Sequence, residues 1–301
     1  MLACQPAQAD WRKDLGTFRI GVVAAPGAGN TVPGLALVTD AYAQALGMPV
    51  RVFVARDYAA LIDAQIDRRV DYAVYSATAY ALASARCGCV EPLAAPTDAD
   101  GSVGIRSVLV TRDARVAKPA DMAERRVALG PPDSVASSLL PLADLAAAGV
   151  TDVRGQPLLS HAASETAAEA MLAAGEVDAV FGWERAGRAE QDRAAPSGTV
   201  ARLVATGIPS SALQVVWRSA LLRYGPHVVR SDLDEDAKRK LVGFLTGLKA
   251  RDPRLYRLLE RDHAGGFVAV TGKDYAAAAA LVQAAAADDA SAPPPVSRSG
   301  R

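Results

Sequence analysis

Residues 126–141 read RVALGPPDSVASSLLP, and their reading decides the fold. Val127, Ala128 and Leu129 form an apolar run of strand length. Gly130, Pro131 and Pro132 break the backbone, and Asp133 or Ser134 then starts a helix carrying Leu139, Leu140, Leu142 and Leu145. A strand, a sharp turn and a capped helix aim free N–H groups and hydroxyls at the carboxyl end of a strand, where anions bind. Ser134 is therefore either a helix cap alone or a cap that also donates to an anion.

The same alternation extends to both sides. Strands are expected at 18–24, 49–55, 70–75, 105–112, 177–181, 214–218, 227–230 and 267–270. Helices are expected at 35–46, 57–66, 81–86, 164–174, 234–249, 254–261 and 273–286, with a glycine-containing loop at 26–34. Strand and helix in turn argue for an α/β fold with mainly parallel pairing. An internal echo adds to this: DYAALIDAQIDRRVDYAVY at 57–75 resembles SETAAEAMLAAGEVDAVFG at 164–182. Each is a capped amphipathic helix, a tight turn, then Val-Asp before a strand, so two lobes of one ancestry are expected. Asp71 and Asp178 recur at that junction and read as structural caps.

Composition excludes several classes. Half the residues are apolar and the formal net charge is zero, so a polyanionic partner such as nucleic acid is not suggested. No apolar run reaches the roughly 18 residues of a membrane span. Cys87 and Cys89 flank Gly88, a spacing tight for a structural disulfide, and read as buried or incidental thiols before a redox pair. No His or Cys cluster completes a metal site, and no cofactor is expected. Cys4 follows Met-Leu-Ala and precedes a polar segment. It resembles the lipidated Cys of a bacterial lipoprotein, although the charged and apolar parts of such a signal are missing. The alternative is a free thiol on a disordered end.

The order of elements resembles the phosphate/phosphite/phosphonate-type periplasmic solute-binding proteins of ABC importers. The likeness runs over roughly residues 17–284 and rests on DYAALIDA, VDYAVYSATAYALA, GIRSVLVTR, KPADMAERRVALGPPDSVASSLLPLADLAAAGV, SHAASETAAEAM, GEVDAVFGWE and VVWRSALLRYGPHVVRSDL. It implies a two-lobe type II periplasmic-binding-protein fold joined by two hinge strands, bending near Arg106 and Leu222. Residues 1–16 would be a tether, 17–106 plus 223–284 lobe one, 107–222 lobe two, and 285–301 a disordered tail. The ligand would be a small oxyanion held between the lobes.

By this resemblance Ser134 matches an oxyanion-holding hydroxyl, and His161 matches a histidine that donates to the anion. Tyr80 matches the aromatic of the first-lobe turn, and Glu184 the acid that meets a ligand amine. Ser76, Ser137 and Trp183 complete the candidate ligand-binding set. Val135, Ala136 and Gly225 stand where the family usually has polar groups, which leaves the ligand open. Read without the resemblance, His161 is a structural histidine or a cleft donor. Tyr75 and Tyr80 are core or cleft aromatics, and Trp183 is a cleft platform or a packing residue. The partners implied are a small anion and a membrane permease. The protein is expected to be monomeric, periplasmic and lipid-anchored at Cys4. A ligand sensor for a membrane signalling partner, and less strongly an enzyme on the same scaffold, are the alternatives; neither a Gly-x-Ser-x-Gly elbow nor a metal cluster supports the latter.

Overall fold

In the computed structural model, which describes residues 10–23, 34–147, 158–187 and 196–291, strand and helix alternate through two units, each with its own sheet. The first unit opens with α1 (Trp11–Leu15), β1 (Phe18–Val23), α2 (Leu35–Leu46), β2 (Val50–Ala55), α3 (Tyr58–Ile66), β3 (Tyr72–Val74), α4 (Ala77–Cys87) and β4 (Val90–Thr97). The second holds β5 (Gly104–Thr111), β6 (Arg126–Leu129), a π-helical turn (Val135–Leu139) continued by α5 (Leu140–Ala147), and β7 (Leu158–His161). It goes on through α6 (Glu165–Ala174), β8 (Ala179–Ala186), α7 (Gly198–Ala205), β9 (Gln214–Arg218) and β10 (Leu222–Arg223). The chain then returns to the first unit with β11 (His227–Arg230), α8 (Glu235–Arg251), α9 (Pro253–Leu259) and β12 (Gly266–Ala269), and the last described element is α10 (Ala276–Ser291).

The two sheets share a motif. In the first, β1 pairs in parallel with β2 and β3, and β11 joins β3 antiparallel. In the second, β6 pairs in parallel with β7 and β8, and β5 joins β8 antiparallel. Each sheet is thus a parallel trio extended by antiparallel strands, so parallel pairing is confined to three strands in each. The echo in sequence becomes an echo in hydrogen bonding. Asp57 accepts from Ala60 N and Ser164 from Ala167 N, capping α3 and α6. Parallel trios place their loops and following helix starts at one edge of each unit, which is where ligand groups gather in such sheets.

Burial follows the apolar pattern. Phe18, Tyr42, Leu46, Tyr72, Leu241 and Leu245 centre the first core. Val108, Val110, Ala128, Leu172 and Leu203 cover one face of the second sheet, and Leu109, Val127, Leu129 and Phe181 the other.

Several expectations need correction. Residues 11–15 of the expected tether are helical, capped by Asp10, and Trp11 and Leu15 pack on the first core; burying an indole outweighs the polar surroundings. The expected tail is helical as far as Ser291, and α10 groups with the second unit through α5 and β10 rather than with lobe one. Its alanine-rich sequence is strongly helix-forming, which an absence of periodicity past residue 287 concealed. Cys87 and Cys89 are joined as a disulfide, with Gly88 at φ +59° ending α4 between them. Glycine's freedom at positive φ lets so short a loop close. Cys4 and the loop at 26–33 lie outside the described residues.

Candidate functional site

Gly130 ends β6 and makes the turn possible. A Cβ there would lie 2.0 Å from Ser137 Oγ, so only glycine lets that hydroxyl approach the strand end. Gly130 N donates to Ser137 O at 3.1 Å. Ser134, not Asp133, is the cap: its Oγ accepts from Ser137 N at 3.3 Å, and the helix begins as a π-helical turn. Ser138 N and Leu139 N both donate to Ser134 O, the doubled bonding that widens the turn. Ala136 O is held from below by the buried Ser107 hydroxyl.

The hydroxyls of this turn converge on a carboxylate. Ser134 Oγ donates to Glu165 Oε1 at 3.1 Å. Ser137 Oγ lies 2.7 Å from Ser134 Oγ and 3.2 Å from Glu165 Oε1, and its single proton serves one or the other. The Trp183 indole Nε1 donates to Glu165 Oε2 at 2.7 Å. Arg202 stands 3.7 Å from the same oxygen, with its guanidinium 5.1 Å from the Trp183 ring centroid. Its main commitment is elsewhere: Nη2 and Nε donate to Glu169 at 2.6 and 2.8 Å, which raises the Arg202 pKa. Trp183 is held in turn by Thr199 Oγ1, which accepts from Trp183 N at 3.1 Å. Gly198, at φ +58°, allows α7 to start against the Trp183 carbonyl.

His161 ends β7 as an exposed residue. Its Nδ1 lies 2.9 Å from Gly130 O, and a carbonyl only accepts, so Nδ1 carries a proton. Ser138 Oγ donates to the same carbonyl at 3.0 Å. In the neutral ring Nε2 is therefore an acceptor, and it donates to an anion only as imidazolium. Glu184 is paired: Arg218 Nε donates to its Oε1 at 2.6 Å. A ligand ammonium at Glu184 would have to share it with Arg218.

In the first unit, Ser76 follows β3 and caps α4, accepting from Ala79 N at 3.1 Å. Tyr58, 40% exposed at the start of α3, hydrogen-bonds to Ser76, and burial of part of its ring raises its pKa. Tyr80 departs from expectation. Only 5% exposed, it packs edge-on against Tyr275 with centroids 5.0 Å apart, and burial raises its pKa. It is a core aromatic, as is Tyr75.

Ser134, Ser137 and Trp183 are thus brought together, His161 meets them through the Gly130 turn, and Glu184 is committed to Arg218. Glu165, Arg202, Thr199 and Tyr58 were missed. An acid in the first turn of a helix, such as Glu165, reads as a charge complementing the helix dipole. Among the described residues, no three His, Cys, Asp or Glu gather as a metal site.

The family model for the phosphonate periplasmic substrate-binding protein of an ABC transporter matches residues 20–275. The chain belongs to this family. Its members are transport binding proteins rather than enzymes, working outside the cytoplasm with a small ligand and a membrane permease. Among curated proteins, none matches the chain. Solved structures share the fold. XAC2383 from Xanthomonas citri, bound to chloride ion, superposes with a TM-score of 0.59 at 17% identity, over 91% of this chain and 99% of its own. PhnD1 from Prochlorococcus marinus (MIT 9301), in complex with methylphosphonate, gives a TM-score of 0.50 at 15% identity, over 89% and 98%. The fold is that of the type II periplasmic binding proteins. Among the described residues no helix of this family member is long and apolar enough to cross a membrane.

Proposed function

We propose that this family member binds a small phosphorus oxyanion, of the phosphonate, phosphite or phosphate type, on the donors of Ser134 and Ser137, and delivers it to the permease of an ABC importer. One observation carries the reading. The two hydroxyls and the Trp183 indole already converge on a carboxylate, that of Glu165, which stands in for the oxygens of a ligand. Oxygen acceptors of a phosphonate suit the same donors, and charge-assisted hydrogen bonds of this kind are roughly twice as strong as neutral ones. The methylphosphonate complex of the Prochlorococcus marinus relative supports the ligand class. His161, held at Gly130, adds a further donor when its ring is protonated.

A monomer, with a lobe pair divided near residues 106 and 222 and a lipid anchor on Cys4, completes the reading. Mass spectrometry of native protein should find a diacylglyceryl adduct on Cys4; an unmodified mature Cys4 removes the anchor. The ligand itself is tested by a thermal-shift screen of phosphonates, phosphite, phosphate, sulfonates and carboxylates. A ligand at a hundred times its Kd adds about 2.7 kcal/mol. Stabilisation by phosphorus oxyanions that disappears in Ser134→Ala/Ser137→Ala is expected. Stabilisation that survives the double substitution places the ligand elsewhere.

A further inference from the structure

We propose that Glu165 is an intramolecular competitor for the oxyanion seat, and that it sets the selectivity of this protein against fully charged dianions. The inference rests on the reading of Ser134 and Ser137 as the seat, and deepens it.

The proton count is the first ground. Ser134 has one hydroxyl proton and Trp183 one indole proton, and both are given to Glu165, at 3.1 and 2.7 Å. Ser137 has one more, shared between Ser134 and Glu165. A ligand oxygen that takes these protons takes them from Glu165. Occupancy of the seat by ligand and by carboxylate is therefore mutually exclusive.

Charge is the second ground. Arg202 is the cation beside Glu165, yet it is engaged by Glu169 at 2.6 Å and lies 3.7 Å from Glu165. Glu184 has Arg218 to itself at 2.6 Å. The negative charge of Glu165 thus has donors but shares its nearby cation, Arg202 at 3.7 Å, with Glu169, so a single guanidinium faces two carboxylates. A dianion entering the seat meets that charge at short distance, where like charges disfavour each other.

Mobility is the third. Glu165 is the first residue of α6, its side chain is 29% exposed, and it has rotatable bonds enough to swing into water. Displacement is feasible, and it lowers the apparent affinity by the population of the open seat. A ligand carrying less charge, or a cationic group that receives the displaced carboxylate, suffers less from this competition than phosphate or methylphosphonate.

The test is titration calorimetry of the full chain with methylphosphonate and with phosphate, at a pH above the second ionisation of both, where each is the dianion. Five proteins are compared: wild type, Ser134→Ala/Ser137→Ala, Glu165→Ala, Glu165→Gln, and Glu165→Ala combined with Ser134→Ala/Ser137→Ala, each checked for a cooperative melt. Glu165→Gln keeps the shape and removes the charge, so it serves if the alanine variant fails to fold. At least about a tenfold gain in affinity for the dianions in the Glu165 variants, equal to about 1.4 kcal/mol, supports the proposal when the triple variant loses it. Equal or weaker binding in folded Glu165 variants overturns the proposal; the seat itself still stands if Ser134→Ala/Ser137→Ala weakens wild-type binding. Oxyanion binding untouched by the serine substitutions, or absent from every protein, overturns the seat and the proposal together.

Discussion

The carboxylate of Asp178 accepts the backbone N–H of Arg126 at 2.9 Å, and Asp71 does the same for Arg19 at 2.9 Å in the other unit. Each aspartate also returns its own N–H to the carbonyl of that arginine. The starts of the central strands, the second residue of β1 and the first of β6, are thus tied to the loop before their parallel neighbours, β3 and β8. The ties differ in burial. Asp71 is 4% exposed and also takes Nε and Nη2 of Arg19 at 2.8 and 2.6 Å, whereas Asp178 is 32% exposed and its guanidinium partner stands at 3.5 Å. Asp71→Ala should therefore cost about 2 kcal/mol, because it removes a buried acceptor from the Arg19 N–H, while the guanidinium of Arg19, whose side chain is 37% exposed, can turn to water. Asp178→Ala should cost less than about 1.5 kcal/mol. Urea unfolding checks the order, and an equal cost for both contradicts the burial argument.

That pairing explains what could be read in the sequence. Val70-Asp71 and Val177-Asp178 precede short apolar strands after capped helices, and periodicity, cap and turn all point one way there. β4 was not legible. Its sequence VEPLAAPT carries Pro92 and Pro96, and prolines argue against an interior strand because they lack a ladder N–H. Yet β4 lies between β12 and β11. The sheet accommodates this with a register shift beside Pro92, between His227 and Val228. In the candidate site, Ser134 and the Gly130 turn were legible because strand, break and cap are local signals. Glu165 was not, since its partners lie 31, 28 and 18 residues away, and a first-turn acid already has a local explanation.

His227 should make stability depend on pH. Its ring is buried in β11, bonded through Nδ1 to the Tyr72 hydroxyl and edge-on to Phe267 at 4.7 Å, and Tyr42 continues the chain of hydroxyls 2.7 Å from Tyr72. Burial lowers its pKa from 6.5 to about 3. Above the unfolded value the ring is neutral in both states and the stability is fully present. As pH falls from 6.5 towards 3, the unfolded chain binds a proton that the folded chain refuses. Stability drops there by up to about 1.4 kcal/mol per pH unit. Denaturant titrations across that window should show a shallower slope in His227→Gln than in wild type, and parallel slopes would assign the pH dependence to carboxylates.

Reducing the Cys87–Cys89 disulfide should leave the protein folded. The bridge closes a loop of three residues, and on the chain-entropy model so short a loop contributes only about 1.6 kcal/mol. Thiol titration under denaturing conditions should find two more reactive thiols after reductant than before. Circular dichroism after reduction should keep its native spectrum, with a small decrease in the urea midpoint. Collapse on reduction would mean that the bridge, rather than Gly88 and the α4 packing, holds the end of that helix.

The last prediction concerns how His161 contributes to binding. Its Nδ1–H is spent on Gly130 O, with Ser138 Oγ on the same carbonyl at 3.0 Å. A neutral ring so placed offers a ligand no second donor. If an oxyanion accepts from Nε2, the ring must take up a proton as the ligand binds, and the hydrogen bond formed is charge-assisted. Such a bond is worth roughly 1.5–3 kcal/mol, so His161→Ala should weaken binding about ten- to a hundredfold. The apo protein should lose little stability, because the ring is exposed and Ser138 still holds Gly130 O. Affinity alone does not separate this from a shift of the Gly130 turn, which would move Ser137 as well. Proton linkage does. Calorimetry in two buffers of different ionisation enthalpy reads the protons taken up per ligand bound, and the uptake by wild type should exceed that by His161→Ala. If the two proteins take up the same number while affinity falls, His161 acts only through the carbonyl it anchors, and the anion is held by the serines and the indole without it.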